Sequence, residues 1–246
     1  ALGESLTMQG QLSRRIHVLS MPRIFNSKIG MLIYSFLLPF VHKKQLAEVT
    51  ILKTNQMDGA WAALIAKKLF KKKLVVRCGY MLTKFLKRAG ALGNIKKIFC
   101  HGMEQWAFRL ADMIEVASTH DKDYVAKSYG IAEGKTYIVP NYIDTIQFCP
   151  EAKPDHTHVL VFVGRLRKQK NLSALLDAIN ILQLRLDIYG DGPLRTSLER
   201  QANEGNISVH FYGAVSNRDV PAILKRYTYY VLPSLYEGMP KTLLEA

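Results

Sequence analysis

The sequence predicts an α/β fold made of two halves, each a parallel sheet with helices on both faces. Three observations carry that expectation. Segments of strand composition alternate with helical patterns along the whole chain. Most strand segments are apolar throughout rather than every second residue, which is the pattern of strands buried on both faces. The alternation is interrupted once, at Cys149–His158 (CPEAKPDHTH), a polar stretch with two prolines and no periodicity that reads as a linker. The expected division is therefore a first domain over 1–148, a linker over 149–158 and a second domain over 159–246. At 246 residues the chain is long for one domain and short for two full ones.

In chain order, residues 1–15 are polar, unpatterned and unlike a natural start. Ile16–Ser20 has strand composition. Lys28–Lys44 reads as a helix broken near Pro39, because proline lacks the N–H and crowds the preceding turn. Val49–Thr54 reads as a strand, Asn55–Gly59 as a loop and Ala60–Phe70 as a helix. Leu74–Arg77 is a short apolar strand running into Arg77-Cys78-Gly79-Tyr80. Gly102–Ala111 reads as a helix, Met113–Ser118 as a strand, Asp121–Tyr129 as a helix and Thr136–Val139 as a strand.

After the linker the alternation resumes. Val159–Val163 is a strand, and Leu172–Leu182 carries apolar residues at 172, 175, 176, 179 and 182, one helical stripe. Leu184–Tyr189 is a strand that ends in Gly190-Asp191-Gly192-Pro193, with a helix to about Ala202 behind it. Ile207–Tyr212 is a strand ending at Gly213. Ser216 and Asp219 have capping-box spacing for a helix through Tyr227, and Tyr229–Leu232 is the next strand. Two Rossmann-like domains with a cleft between them follow from this order.

The net charge of +14 is uneven. Residues 1–150 hold 22 Lys+Arg against 10 Asp+Glu, a net +12, while residues 151–246 hold 12 against 10, a net +2. The excess peaks at Lys67–Lys73 and at Lys84–Lys97, where Phe85, Leu86, Leu92, Ile95 and Phe99 interleave with basic residues. Such a pattern suits an anionic membrane surface, and a solvated helix face produces it as well. No nucleic-acid fold signature accompanies it. The three cysteines are far apart with no C-x-x-C pair, and no signal peptide is visible, so a reduced cytoplasmic setting is expected. The most apolar run, Ile29–Val41, is too short for a bilayer span of about 20 residues.

Candidate chemistry gathers at strand ends of the second half. After Val163 comes Gly164-Arg165-Leu166, with Lys170 five positions beyond the arginine. An arginine fork and a lysine point charge at one strand exit suit a diphosphate. The last ten residues place Glu237 before a Gly-Met-Pro loop and Glu245 two turns into the following helix. A helix start at the carboxyl end of a parallel strand is where such folds bind ligands, and its free N–H groups favour phosphate.

Taken in order, Gly164-Arg165-Leu166 with Lys170, Gly190-Asp191-Gly192-Pro193, Phe211-Tyr212-Gly213-Ala214-Val215, Leu232-Pro233-Ser234 and Glu237-Gly238-Met239-Pro240 with Glu245 resemble the donor-binding domain of retaining glycosyltransferases of family 4, the glycosyl transferases group 1 set, of GT-B architecture. Val139-Pro140-Asn141-Tyr142-Ile143-Asp144 and Asp112–Ser118 extend the likeness into the first half. The resemblance implies that Arg165 and Lys170 bind the diphosphate of a nucleotide sugar and stabilise it as it leaves. It implies that Glu237 lies at the transferred sugar, that Gly164, Gly238, Met239, Lys241 and Thr242 line the donor site, that Val215 lies near the base, and that Glu245 accepts the ribose hydroxyls. It implies a UDP- or GDP-linked donor, a glycan or lipid acceptor in cell-envelope synthesis, and no metal or other cofactor.

The family's first strand with its glycine-rich loop, and the helix that crosses back after the second domain, are not recognisable, so the sequence reads as cut at both ends. Two rivals stay open. A nucleotide-sugar epimerase shares the architecture, and a non-catalytic basic module would dock on membrane or nucleic acid. His156 and His158 are expected to be exposed in the linker, His101 to be a loop or core histidine, and Arg77 is a candidate for the acceptor side of the cleft.

Overall fold

The structure, a computed structural model, describes residues 18–150 and 155–246 apart from positions 58, 80, 82 and 84–93. Two four-stranded sheets are present, and every strand pair in them is parallel. The first sheet has β1 (Ile51–Thr54), β2 (Lys73–Cys78), β3 (Met113–Val116) and β4 (Thr136–Ile138) in sequence order. The second has β5 (His156–Val163), β6 (Arg185–Tyr189), β7 (Val209–Gly213) and β8 (Tyr227–Tyr230), arranged β7-β6-β5-β8. Helices α1 (Lys28–Val41), α2 (Lys43–Glu48), α3 (Ala60–Phe70), α4 (Asn94–Leu110) and α5 (Thr119–Tyr129) belong to the first half. Helices α6 (Leu172–Leu182), α7 (Arg195–Glu204), α8 (Val220–Lys225) and α9 (Lys241–Glu245) belong to the second.

The apolar run of β5 has a direct cause. Successive strand side chains point to opposite faces. Val159, Val161 and Val163 pack with Val220, Ile223 and Leu224 of α8, while Phe162 joins Leu172, Leu176 and Ile179 of α6 and Leu198 of α7. Val161 and Phe162 are both fully buried, so neither position tolerates a polar residue. In the first half, Leu74, Val76 and Ile114 of the central strands meet Leu64 of α3 and Phe108 of α4 in a single core. Inside it the Tyr129 hydroxyl donates to the buried Glu104 carboxylate.

Several boundaries differ from expectation. Val18–Ser20 is not a strand, and Ile16 and His17 lie outside the described residues, as does most of the basic stretch Lys84–Lys97. α1 continues past Pro39 to Val41, and the interruption comes at His42. Pro39 stands in the last turn, and the helix runs only two residues beyond it. α4 begins at Asn94, eight residues before the predicted Gly102, which is interior and costs about 1 kcal/mol there relative to alanine. β5 starts at His156, so the strand takes in the end of the predicted linker. His156 is half-buried rather than exposed, stacked on Tyr227 at 4.7 Å and hydrogen-bonded to Arg226.

α8 ends at Lys225, and Tyr227 already belongs to β8, because its buried hydroxyl donates to Asp187 of β6 at 2.5 Å. Sheet pairing through that bond holds the residue extended. The expected capping box at Ser216 does not form. Asp219 occupies the cap position without a side-chain bond, and the Ser216 hydroxyl accepts from the amide of Arg218 instead.

Candidate functional site

A cavity of about 730 Å³ lies between the halves, at the carboxyl ends of both sheets. From the first half it is walled by Gln56, Arg77, Asp121 and Asn141, among others, and from the second by Gln169, Lys170 and the loop Tyr236–Met239 with Lys241. Parallel strands bring all their exit loops to one edge, so this location follows from topology.

Lys170 closes a short turn behind β5, and its Nζ stands 2.6 Å from Glu237 Oε1. Both side chains are mostly shielded, 17% and 21% exposed, which strengthens their attraction over a surface pair. The loop carrying Glu237 is pinned by Gln169. Its carbonyl accepts from the Leu235 amide at 2.9 Å, and its side-chain amide donates to the Tyr236 carbonyl at 2.8 Å. Pro240 then opens α9. Proline contributes no N–H at that point.

The strand-exit turns lock to one another through backbone. The Gly164 amide donates to Tyr189 O, Leu166 to Asp191 O and Gly190 to Gly213 O, at 2.9, 3.0 and 2.7 Å. Gly190, at φ 147°, lies so near Gly164 that a Cβ would stand 1.9 Å from the Gly164 oxygen. This close approach is the reason for the glycine in Gly190-Asp191-Gly192-Pro193, a stretch that alone reads only as a turn.

The structure gathers some of the expected site residues and leaves others apart. Lys170, Glu237, Gly238, Met239 and Lys241 line the cavity. Arg165, Gly164, Val215, Thr242 and Glu245 do not. Arg165 is exposed at the exit of β5. Val215 packs against the core beneath α8. Glu245 is largely shielded, with Lys241 Nζ 3.7 Å from it. Near them, the Tyr230 hydroxyl titrates above its ordinary value, chiefly through burial and also through the charges of Glu237 and Glu245, with Thr242 opposing.

On the facing wall Arg77 does reach the cavity. It donates to Glu115 Oε2 at 3.3 Å and to Asn141 Oδ1 at 3.2 Å, while Lys53 Nζ spans both Glu115 oxygens, 2.8 Å from Oε1 and 2.7 Å from Oε2. Asp121, in the first turn of α5, accepts from the Ser118 hydroxyl, which itself caps the helix. His101 stacks on Tyr129. Among the described residues no group of three or more His, Cys, Asp and Glu is placed to hold a metal ion, and no helix is long and apolar enough to cross a membrane.

Sequence reasoning missed Gln169, the bonds of Asn141 and the place of Gln56 in the cavity wall. Gln169 gave no signal, since a side-chain amide inside a basic turn has no diagnostic pattern. Asn141 lay within a flagged stretch but carried no charge to attract attention.

Comparison with known proteins accounts for both halves. The family model described as Glycosyltransferase Family 4 matches residues 5–147, and that described as Glycosyl transferases group 1 matches residues 144–246. The chain is 29% identical over 169 residues to the UDP-Gal:alpha-D-GlcNAc-diphosphoundecaprenol alpha-1,3-galactosyltransferase of Escherichia coli, covering 61% of this chain and 44% of that protein. It is 30% identical over 147 residues to the Campylobacter jejuni GalNAc-alpha-(1->4)-GalNAc-alpha-(1->3)-diNAcBac-PP-undecaprenol alpha-1,4-N-acetyl-D-galactosaminyltransferase, covering 57% and 39%. The chain spans less than half the length of these curated relatives. Among solved structures, Anabaena HepE in complex with UDP and glucose aligns with a TM-score of 0.75 at 17% identity, over 100% of this chain and 68% of that one. The chain therefore belongs to glycosyltransferase family 4 and has the two-domain GT-B fold.

Proposed function

We propose that this chain binds a nucleotide diphosphate sugar in the cavity between its halves and serves transfer of that sugar to an acceptor hydroxyl with retention. The observation that carries the reading is the Lys170–Glu237 pair, 2.6 Å apart and aimed into the cavity. The bond from the anomeric carbon to the diphosphate oxygen breaks, and the acceptor oxygen bonds that carbon from the same face. The acceptor's proton passes to the departing diphosphate oxygen. Negative charge grows on the leaving group, and fixed positive groups stabilise it best when already in place. Lys170 and the Gly238 and Met239 amides supply them, with Arg165 swinging in from the surface, so no metal is needed. Glu237 orients the sugar, Glu245 holds the ribose, Lys241 and Thr242 flank the phosphates, and Val215 lies by the base.

UDP is the favoured donor nucleotide, since HepE was crystallised with it. The acceptor is a lipid-linked glycan of envelope synthesis; the Escherichia coli and Campylobacter jejuni relatives are named for sugars linked to undecaprenol through a diphosphate. The basic first half and the apolar surface of α1, where Ile29 and Phe40 are 73% and 55% exposed, support docking from the cytoplasm on an anionic membrane surface. Calorimetric titration of UDP, GDP and ADP with and without EDTA tests the donor reading. UDP should bind in both conditions, and Lys170→Met should weaken it about tenfold or more. Equal affinity of wild type and Lys170→Met would sink the assignment.

A further inference from the structure

The loop that carries Glu237 is held from both domains by side-chain amides. Gln169 grips it from within the second half. From the first half, Asn141 Nδ2 donates to the Met239 carbonyl at 2.7 Å, and the Asn141 backbone amide lies 3.3 Å from Met239 Sδ. The orientation of the Asn141 side chain is forced. An arginine only donates and a carbonyl only accepts, so Oδ1 must face Arg77 and Nδ2 must face Met239. Arg77 is in turn fixed by Glu115, whose side chain is 9% exposed and is also paired with Lys53. A connected row thus runs from β1 through β3 and β2 to the loop of the opposite domain.

We infer that Asn141 is a positioning residue that fastens the first domain to the donor loop by holding the Met239 carbonyl, with Arg77 setting its amide. The bond is made only when the cleft is closed, because its two ends belong to different domains. The Gln169 bonds persist when the cleft opens, because both of their ends belong to one. Asn141 therefore couples domain closure to the shape of the loop that presents Glu237. The nearby Tyr142 ring, 6.0 Å from Lys241 Nζ, adds a second and looser contact across the same seam. This inference goes beyond the sugar-transfer reading and is tested without any ligand, so either can fail alone.

The test compares the ligand-free chain with Asn141→Asp, Asn141→Ala and Gln169→Ala by small-angle scattering and by amide hydrogen exchange. Asn141→Asp is the discriminating variant. It keeps an acceptor for Arg77 and sets a second acceptor against the Met239 carbonyl. Both Asn141 variants should raise the radius of gyration and speed exchange at residues 236–239 and 241 by roughly tenfold, the loss of one good hydrogen bond. Gln169→Ala should speed exchange in the loop and leave the scattering curve unchanged. Arg77→Lys, which keeps the charge opposite Glu115 and loses the fork, should shift scattering in the same direction by less. Scattering for Asn141→Asp and Asn141→Ala that superposes on wild type overturns the inference, as does equal opening by Gln169→Ala.

Discussion

Lys170 and Glu237 depend on each other for their place. With one removed, the other is left mostly shielded from water without its counter-charge, and its side chain is free to leave the cavity. Glu237→Gln retains shape and a hydrogen bond, so its thermal midpoint should stay within about 2–4 °C of wild type, a change of no more than about 1 kcal/mol. Its sugar-transfer rate, in a chain that turns over, should fall about a hundredfold or more. A rate within a few-fold of wild type would remove Glu237 from the chemistry. Gly190 gives the opposite kind of prediction. Alanine there would drive a Cβ into the Gly164 carbonyl, so Gly190→Ala should lose about 3 kcal/mol in denaturant unfolding. Residues of these two kinds differ in how legible they are. Charged groups at strand exits announce themselves by type and spacing. The demand on Gly190 arises from a turn 26 positions earlier in the chain, and a local pattern holds no trace of it.

Among the elements, the join between β2, β3 and α3 rests on Asp112. Its carboxylate accepts from the Leu74 amide at 2.7 Å and from Lys67 at 2.5 Å, with Lys73 at 3.5 Å. Burial pushes the Asp112 carboxyl up, but the Lys67 and Leu74 hydrogen bonds and the two lysine charges outweigh it and hold the group below its ordinary value. A depressed folded-state pKa means that the stabilisation is fully present above the unfolded value of about 3.9 and is lost as pH falls through the folded one. Asp112→Asn should accordingly lower the midpoint at pH 7 and flatten the loss of stability below about pH 4. Parallel acid profiles for the two proteins would refute this.

A run whose residues face apolar neighbours on both sides, such as Val159–Val163 of β5, could be placed from composition because burial dictates its positions. α4 and β8 were misplaced where tertiary contacts overrule local signals. Gly102 looked like a helix start and is an interior residue, and Tyr227 looked helical until its bond to Asp187 claimed it for the sheet.

At the level of the whole molecule, the charge imbalance and the exposed face of α1 make a measurable prediction. Sedimentation with anionic vesicles should capture the chain at low ionic strength, and capture should fall as salt shortens the Debye length from about 10 Å at 0.1 M. Vesicles without anionic lipid should capture far less, and equal capture by both would exclude an electrostatic component. The two-domain architecture was readable from the alternation of elements, whereas the seam between the domains was not. Asn141 and Met239 are 98 positions apart, and neither has a composition that foretells the other.

The parallel pairing of both sheets also has a kinetic consequence. Parallel neighbours cannot be joined by a tight hairpin, so each pair must wait for its intervening crossover to form. β5 and β8 are neighbours in the sheet but are separated in the chain by β6, β7 and their helices, so their pairing closes a long loop. Closure of such long segments costs entropy before any contact repays it, so folding should be slow on the scale of helical proteins. During that interval the Val159–Val163 segment is exposed and apolar throughout. Refolding yield should therefore drop with protein concentration, and the second half, rather than the heavily charged first, should be where chains stick together.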